Sequence, residues 1–465
     1  MVSLSVRRSW GLFPLPPAIL VDRLLPETQN DGGTPAMRLI GNKTKLLAEI
    51  ESFLSARGIA SGTFIDIFTG TSSVARHFKS LGFVVLANDL LAPCYNQAVA
   101  GVEIGEPPPF TGLLESQKKV IHSSSFRESY TTWKASRGID SDLTDTGEAH
   151  RVSFEPLRQA IHFLNAFVAP RDGIILRCFS PEGPYDRRYF RPQHARKIDG
   201  VLEFLRDQCR RGMLSRLEHH LLLNALLNAA DRRANISGTY GAYLKKWQSN
   251  TENELSLEVP ELVSGKSDGH RAFQRDANEL VREIEGDILY LDPPYNHRQY
   301  AANYHVLQII AEFHQIEDLE SYESALYGKT GLRPYGDLRS AFCRPRNSRR
   351  RPDTGPGDVF EAMKDLLMNA RVEHVVVSYN EEGLLTLEEI GELLALFSGR
   401  SSFDYSSDFR EVVHQRFRSD RDRSGEGEGG SRHYRVIEDK GRNRIGEWLF
   451  YARHRDRRLA ESGKP

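Results

Sequence analysis

Cysteine is scarce in this chain, four among 465 residues, and Cys94, Cys178, Cys209 and Cys343 stand far apart with no CxxC pair. That spacing excludes a disulfide framework, suggests no zinc site or other metal centre, and fits a reducing cytoplasm. Long apolar runs are missing as well: no stretch of about 18 apolar residues occurs, so no membrane span is expected. Arg7-Arg8 precede an apolar stretch from Trp10 to Val21, but Pro14, Pro16 and Pro17 interrupt it and no small-residue cleavage site follows, which argues against a signal peptide. Charge of one sign is absent too. Lys and Arg number 62 against 63 Asp and Glu, a net charge of −1, so any nucleic-acid surface has to come from local basic clusters. There is no internal repeat.

What remains is an ordinary globular composition, 39% hydrophobic and 27% charged, on a chain long enough for two or three domains. Residues 1–36 read as a loose extension, with Met37 an alternative start. A helix over 45–56 is followed by an apolar run, Thr63 to Phe68, a glycine turn, a helix from Ser73 to Leu81, and a second apolar run, Phe83 to Ala87, ending at Asn88-Asp89. Strand, turn, helix, strand is a βαβ unit and implies a parallel sheet. The pattern returns with a strand from Asp287 to Leu291, a helix over Tyr304–His314, a strand at His374–Ser378 and a helix over Thr386–Phe397. One doubly wound α/β domain is the simplest fold for both halves. Between them, 106–150 is rich in Pro, Ser, Thr and charge and reads as an exposed insert. From about 190 to 247 the pattern is helical, with an apolar-rich helix over Leu217–Ala230, and predicts a separate, mostly helical lobe. Five arginines fall within 344–351, a candidate phosphate-binding run. Residues 419–432 have the composition of a mobile loop.

The strongest chemical signal is Asp292-Pro293-Pro294-Tyr295, directly after a strand. Ligands of open α/β sheets bind beyond the carboxyl ends of the strands. An exocyclic base amine is a poor nucleophile because its lone pair is delocalised. Asp292 and a backbone carbonyl of the stiff Pro293-Pro294 turn can each accept one amine N–H and aim the lone pair at a methyl donor. Tyr295 offers a flat face on which an extruded base stacks. At the first strand, Asp66-Ile-Phe-Thr-Gly70 gives an acid for an ammonium, a Phe68 ring and a glycine that lets the backbone approach a ligand. Asp89, 19 residues after Gly70 and at the end of the next strand, suits a ribose diol. A nicotinamide dinucleotide would use the same acid, but the G-x-G-x-x-G loop is missing. Cys94 reads as a small buried apolar residue, and His219-His220 as a surface pair on a helix.

These residues also carry a resemblance. From about Arg38 to Tyr451 the chain resembles the alpha-type family of adenine-N6-specific DNA methyltransferases, enzymes of restriction-modification and related systems. Residues 38–47 are similar to the family's N-terminal cofactor motif, whose lysine falls on Lys43, with Leu39 where an aromatic residue often stands. Asp66 to Gly70 resembles its glycine loop, Asp89 its ribose acid, Asp276 the acid for the cofactor's adenine amine, and Asp292–Tyr295 its catalytic motif. Asn296–Tyr300, Asn303–His305, Ser378–Asn380, Arg188–Phe190 and Asn235–Trp247 look familial too. The resemblance implies a class I methyltransferase (Rossmann-like) sheet, S-adenosylmethionine as cofactor, double-stranded DNA as substrate and a cognate restriction endonuclease as possible counterpart. It divides the chain into a cofactor-binding half (37–105), an insert and target-recognition lobe (106–275), a catalytic half (276–455) and a tail (456–465). Lys43, Asp66, Phe68, Gly70, Asp89, Asp276 and Asp292 are then cofactor-binding, and Asp292, Pro293, Pro294 and Tyr295 catalytic. Arg187, Arg188, Lys245, Lys246 and Arg298 are the basic candidates for nucleic acid. Three rivals stand beside it: RNA base methylation, methylation of cytosine N4 (where Ser often replaces Asp292), and a catalytically dead nucleic-acid-binding module.

Overall fold

Near-continuous apolar runs bury both faces of a strand when helices cover the sheet on both sides, and the strands at 63–66, 288–291 and 374–380 do so. A computed structural model describes residues 37–39, 41–139, 153–264, 268–345, 358–415 and 444–454. The strands are β1 (Thr63–Asp66), β2 (Val84–Asn88), β3 (Arg271–Phe273), β4 (Ile288–Leu291), β5 (His374–Asn380), β6 (Phe409–Gln415) and β7 (Arg444–Arg453). They form one sheet in the order β3-β2-β1-β4-β5-β7-β6. The first five run parallel, and β7 is antiparallel to both β5 and β6. This is a class I methyltransferase-type α/β sheet.

Side chains alternate across each strand. Phe64, Val85, Ile288, Tyr290 and Val376 join an apolar cluster with the helices Leu47–Ser55 and Ser73–Ser80. Phe64 and Phe78 stack there at 4.0 Å between ring centroids. Ile65, Leu289, Leu291, Val375 and Val377 face the opposite way, onto the helices Val359–Asn369 and Leu387–Phe397. The strand order reverses between β1 and β4, so the crevice above their carboxyl ends is the ligand position this fold provides.

A third apolar cluster holds the lobe. The helices Glu155–Ala166, Ile174–Phe179, Pro192–Arg210 and Arg216–Arg233 share it with the helices Ala92–Ala98 and His305–Glu312 beside the sheet. A Ser215–Glu218 capping box opens the Arg216–Arg233 helix, satisfying amide groups that would otherwise lack partners. Two expectations are corrected here. His219 and His220 are buried, since this helix packs on all sides rather than along one stripe. Residues 111–135 are helical, with Phe126, Tyr130 and Trp133 buried in the lobe cluster, so this part of the expected exposed insert is packed. The extension 1–36, residues 346–351 of the arginine run and the loop 419–432 lie outside the described residues. Among the described residues no helix is long and apolar enough to cross a membrane, and no three His, Cys, Asp or Glu side chains group to hold a metal. All four cysteines are free.

Candidate active site

A cleft of about 1050 Å³, open in part to solvent, lies over the carboxyl ends of β1, β2 and β4. Every residue expected to bind cofactor or to act on the amine lines it: Lys43, Asp66, Phe68, Gly70, Asp89, Asp276 and Asp292–Tyr295. Asp66 is the last residue of β1, 1% exposed. Its Oδ2 accepts from Thr69 Oγ1 at 3.0 Å, while Oδ1 is buried with no hydrogen-bond partner. Burial pushes this carboxyl up to about 7, and the nearby Asp292 and Asp89 add to the rise against the Thr69 bond. Gly70 has φ +52°, a left-handed conformation that glycine adopts at little cost. Its amide donates to Asp89 Oδ2 at 3.0 Å, and the Leu91 amide donates to Asp89 Oδ1 at 2.9 Å. Burial raises Asp89 to about 6, and those two amides work against it.

The residue before Asp89 fixes the far wall. Asn88 donates to the carbonyls of Ile67 (3.1 Å) and Arg275 (3.0 Å) and accepts from the Arg275 amide (3.0 Å), tying the ends of β1, β2 and β3 together. Asp276 follows immediately and caps the Ala277–Leu280 helix through Oδ1. Phe68 meets Phe342 edge-on, with centroids 4.8 Å apart. Cys94 is buried as expected, and its thiol also faces Asp89; burial pushes it well above the ordinary thiol value.

On the β4 side, Lys43 is almost fully buried between two carboxylates. Its Nζ bonds Glu447 Oε1 of β7 and lies 3.2 Å from Asp292 Oδ1. Burial opposes the ammonium, but Asp292 and Glu447 together outweigh it and hold Lys43 above its ordinary value. Burial pushes Asp292 upward, Lys43 pulls it down and Glu447 adds to the rise. Two carboxylates facing one cation leave surplus negative charge, and this adds to burial in holding the Asp292 carboxyl above its ordinary value. The Pro293-Pro294 turn fixes the direction of Tyr295, whose carbonyl accepts from the Leu384 amide at 3.1 Å. The Tyr295 ring lies against Gly41: a Cβ there would meet Cε1 at 3.4 Å. Burial raises the Tyr295 hydroxyl above its ordinary value, which keeps it protonated near neutral pH.

The basic candidates separate. Arg187 is 2% exposed, and its guanidinium donates to the carbonyls of Cys178 (2.9 Å), Lys329 (3.1 Å) and Gly328 (3.0 Å). It pins the 327–332 hairpin to the lobe and is withdrawn from the surface, which corrects its expected contact with nucleic acid. Arg188 is partly exposed and donates to the Lys245 carbonyl. Lys245, Lys246 and Arg298 are exposed. The loop before Lys245 rests on the cleft wall, since the Tyr240 amide donates to the Asn303 carbonyl at 2.7 Å and Tyr300 and Ala301 line the cleft. Sequence reasoning missed Glu447, because the strand that carries it was not read from the sequence. It also missed Gln299, whose side chain joins Ser340 by two bonds, of 3.2 and 2.9 Å, across the cleft rim.

A parallel sheet reversing at β1 and β4, with Asp66 ending β1 and the Asp292–Tyr295 turn following β4, defines a class I methyltransferase-type protein. Residues 39–345 match the D12 class N6 adenine-specific DNA methyltransferases, and the chain belongs to that family. Type II methyltransferase M.FokI of Planomicrobium okeanokoites is 32% identical over 361 residues, covering 77% of this chain and 46% of its own length. Modification methylase StsI of Streptococcus sanguinis is 29% identical over 384 residues, 82% of this chain and 49% of its own. Type II methyltransferase M.NlaIII of Neisseria lactamica is 31% identical over 388 residues, 83% and 93% respectively. The chain thus spans about half the length of the first two and nearly all of the third. No solved structure gives a significant match.

Proposed function

We propose that this chain transfers a methyl group from S-adenosylmethionine to the N6 amine of adenine at a specific site in double-stranded DNA. The observation that carries the reading is Asp292, held beside Lys43 at the switch point of the sheet and facing the same cleft as Asp66 and Asp89. The cofactor fits these residues. Asp66 Oδ1 is a buried acceptor without a partner and matches an ammonium. Asp89 keeps lone pairs for the ribose hydroxyls beyond its two amide bonds. Asp276 uses only Oδ1 in capping its helix, which leaves Oδ2 for an adenine amine, and Phe68 offers a ring face. When bound, S-adenosylmethionine supplies a sulfonium-activated methyl group.

The chain's own residues supply orientation. Asp292 and a carbonyl of the Pro293-Pro294 turn accept the two N6 hydrogens, which turns the nitrogen lone pair toward the donor. With the donor held there, its methyl group would pass to the N6 nitrogen as its bond to sulfur is given up, and Asp292 would take one amine proton on to water, leaving N6-methyladenine and a neutral thioether. Tyr295 stacks on the flipped base. Arg188, Lys245, Lys246 and Arg298 meet phosphates. Because the relatives carry the names of type II and modification methylases, we take a restriction endonuclease of the same site specificity as the counterpart of this chain.

The test is to incubate purified protein with methyl-tritiated S-adenosylmethionine and, separately, DNA and RNA, then to digest and chromatograph the nucleosides. Label in N6-methyldeoxyadenosine supports the reading. Label in N4-methyldeoxycytidine or in RNA alone replaces it with a rival, and no label in any polymer points to the catalytically dead module.

A further inference from the structure

Glu447 stands on β7, about a hundred residues past the part of the chain that matches the family. It is nonetheless the nearer of the two carboxylate partners of Lys43, Asp292 being the other. It is 6% exposed, and β5 holds it in place. Ser378 Oγ donates to Glu447 Oε1 at 2.8 Å and Asn380 Nδ2 approaches Oε2 at 3.5 Å. The β5–β7 register, which pairs Asn380 with Glu447, creates this arrangement.

We propose that Glu447 is a positioning residue for methyl transfer: with Ser378 and Asn380 it claims the Lys43 ammonium, so that Asp292 keeps acceptor capacity for the substrate amine. The inference rests on the function proposed above. The physical reason is competition. A buried lysine with one carboxylate in reach closes on it in a hydrogen-bonded ion pair. Asp292 would then be spent on Lys43 instead of on the amine. A second, firmly seated carboxylate divides the ammonium's donors and holds it at the edge of the site. The charged and titratable groups facing Asp292 are Lys43 from the segment ahead of the Leu47–Ser55 helix, Asp66 from β1, Glu447 from β7, and the Tyr290, Tyr295 and Tyr300 hydroxyls.

The experiment compares the full chain with Glu447→Gln and Glu447→Ala. Gln keeps a carbonyl for Lys43 and for Ser378 but removes the charge; Ala removes both. Single-turnover methylation of a DNA substrate is followed from pH 5.5 to 9, beside DNA affinity and melting temperature. Glu447→Ala should lose about 10²-fold in rate, the scale of an ångström misplacement at a reacting centre, with DNA affinity unchanged. Glu447→Gln should keep most of the rate at neutral pH, because the amide oxygen still holds Lys43, and move its acid limb down by about one pH unit, because Asp292 loses a like charge. The Asp292 carboxyl is also titrated by ¹³C NMR in the ligand-free protein, assigned by its loss in Asp292→Asn. Its midpoint should fall in Glu447→Gln, a readout independent of turnover. A wild-type rate and pH profile in a folded Glu447→Ala, or an unmoved Asp292 midpoint in Glu447→Gln, overturns the proposal. If the wild type methylates no DNA, the proposed function fails while the NMR arm still decides whether Glu447 governs Asp292.

Discussion

Replacing Asp66 by Asn changes the charge of the cleft while keeping its shape, because the amide oxygen can still accept from Thr69 Oγ1. The folded chain raises this carboxyl from the ordinary 3.8 to about 7, mainly by burial and secondarily through Asp292 and Asp89. The unfolded chain releases the proton near pH 4 and the folded chain near pH 7. The folded state therefore binds it more tightly, and stability falls as pH rises between those values and is level above them. At about 1.4 kcal/mol for each tenfold, the complete loss is about 4 kcal/mol, of which roughly 3 kcal/mol accrues between pH 5 and pH 8. Asn has no proton to release. Urea titrations of the ligand-free protein should show Asp66→Asn gaining about 3 kcal/mol more over wild type at pH 8 than at pH 5. Calorimetry should show the cost in function: S-adenosylmethionine binds about 10- to 100-fold more weakly, the loss of one charge-assisted hydrogen bond of about 1.5–3 kcal/mol. A stability gain independent of pH, or a variant less stable than wild type at pH 8, refutes the argument.

Asp292→Ala should lower single-turnover methylation by about 10²–10³-fold, as for other deleted active-site hydrogen bonds, with DNA affinity retained in gel shifts. Arg187→Ala should destabilise the fold by about 2–3 kcal/mol, since three buried carbonyls lose a charged donor, and should leave the salt dependence of DNA binding unchanged. Joint replacement of Arg188, Lys245 and Lys246 by Ala should do the reverse, flattening the slope of log affinity against log salt by about 0.9 for each phosphate contact removed. Tyr295→Phe should keep most of the rate, whereas Tyr295→Ala should lose about 1–3 kcal/mol of stacking, seen with a fluorescent adenine analogue as weakened base flipping.

The parallel half of the fold was legible because its strands are short apolar runs ended by an acid, a glycine or a proline. Thr63 to Asp66, Val84 to Asn88 and Ile288 to Leu291 fall inside the runs read from the sequence. Asp66, Asp89 and Asp292 were legible for the same reason, since each ends a run and the fold puts run ends at one edge. The strands β3, β6 and β7 were not read, and Glu447 was lost with β7. Its role depends on the pairing with Asn380 and on Lys43, 404 residues away, and no local pattern encodes that. Arg187 was misread because its acceptors lie up to 142 residues on. The His219-His220 error was avoidable: Leu221 to Leu223 and Ala225 to Leu227 put apolar residues on every side of the helix, which marks it as central.

The cleft draws Asp66, Asp89, Asp276 and Asp292 to one edge of the sheet, with Glu447 behind Lys43, and its cations are few. Lys43 is shared between two acids, and Arg275 is turned to Glu283 on the outer surface. In water such a cluster would simply ionise. Here burial denies the charges their solvation, so Asp66 and Asp89 hold protons at pH values where an ordinary carboxyl has lost them. The ligand-free chain thus stores an electrostatic deficit that a cation relieves, and it relieves more with two positive charges than with one. A donor carrying both an ammonium and a sulfonium matches that deficit. Its demethylated product, a thioether with the ammonium alone, matches it less well. On the proposed function, the carboxylates that weaken the ligand-free fold above neutral pH should also favour the charged donor over its product, and discrimination between the two in equilibrium binding should strengthen as Asp66 and Asp89 ionise.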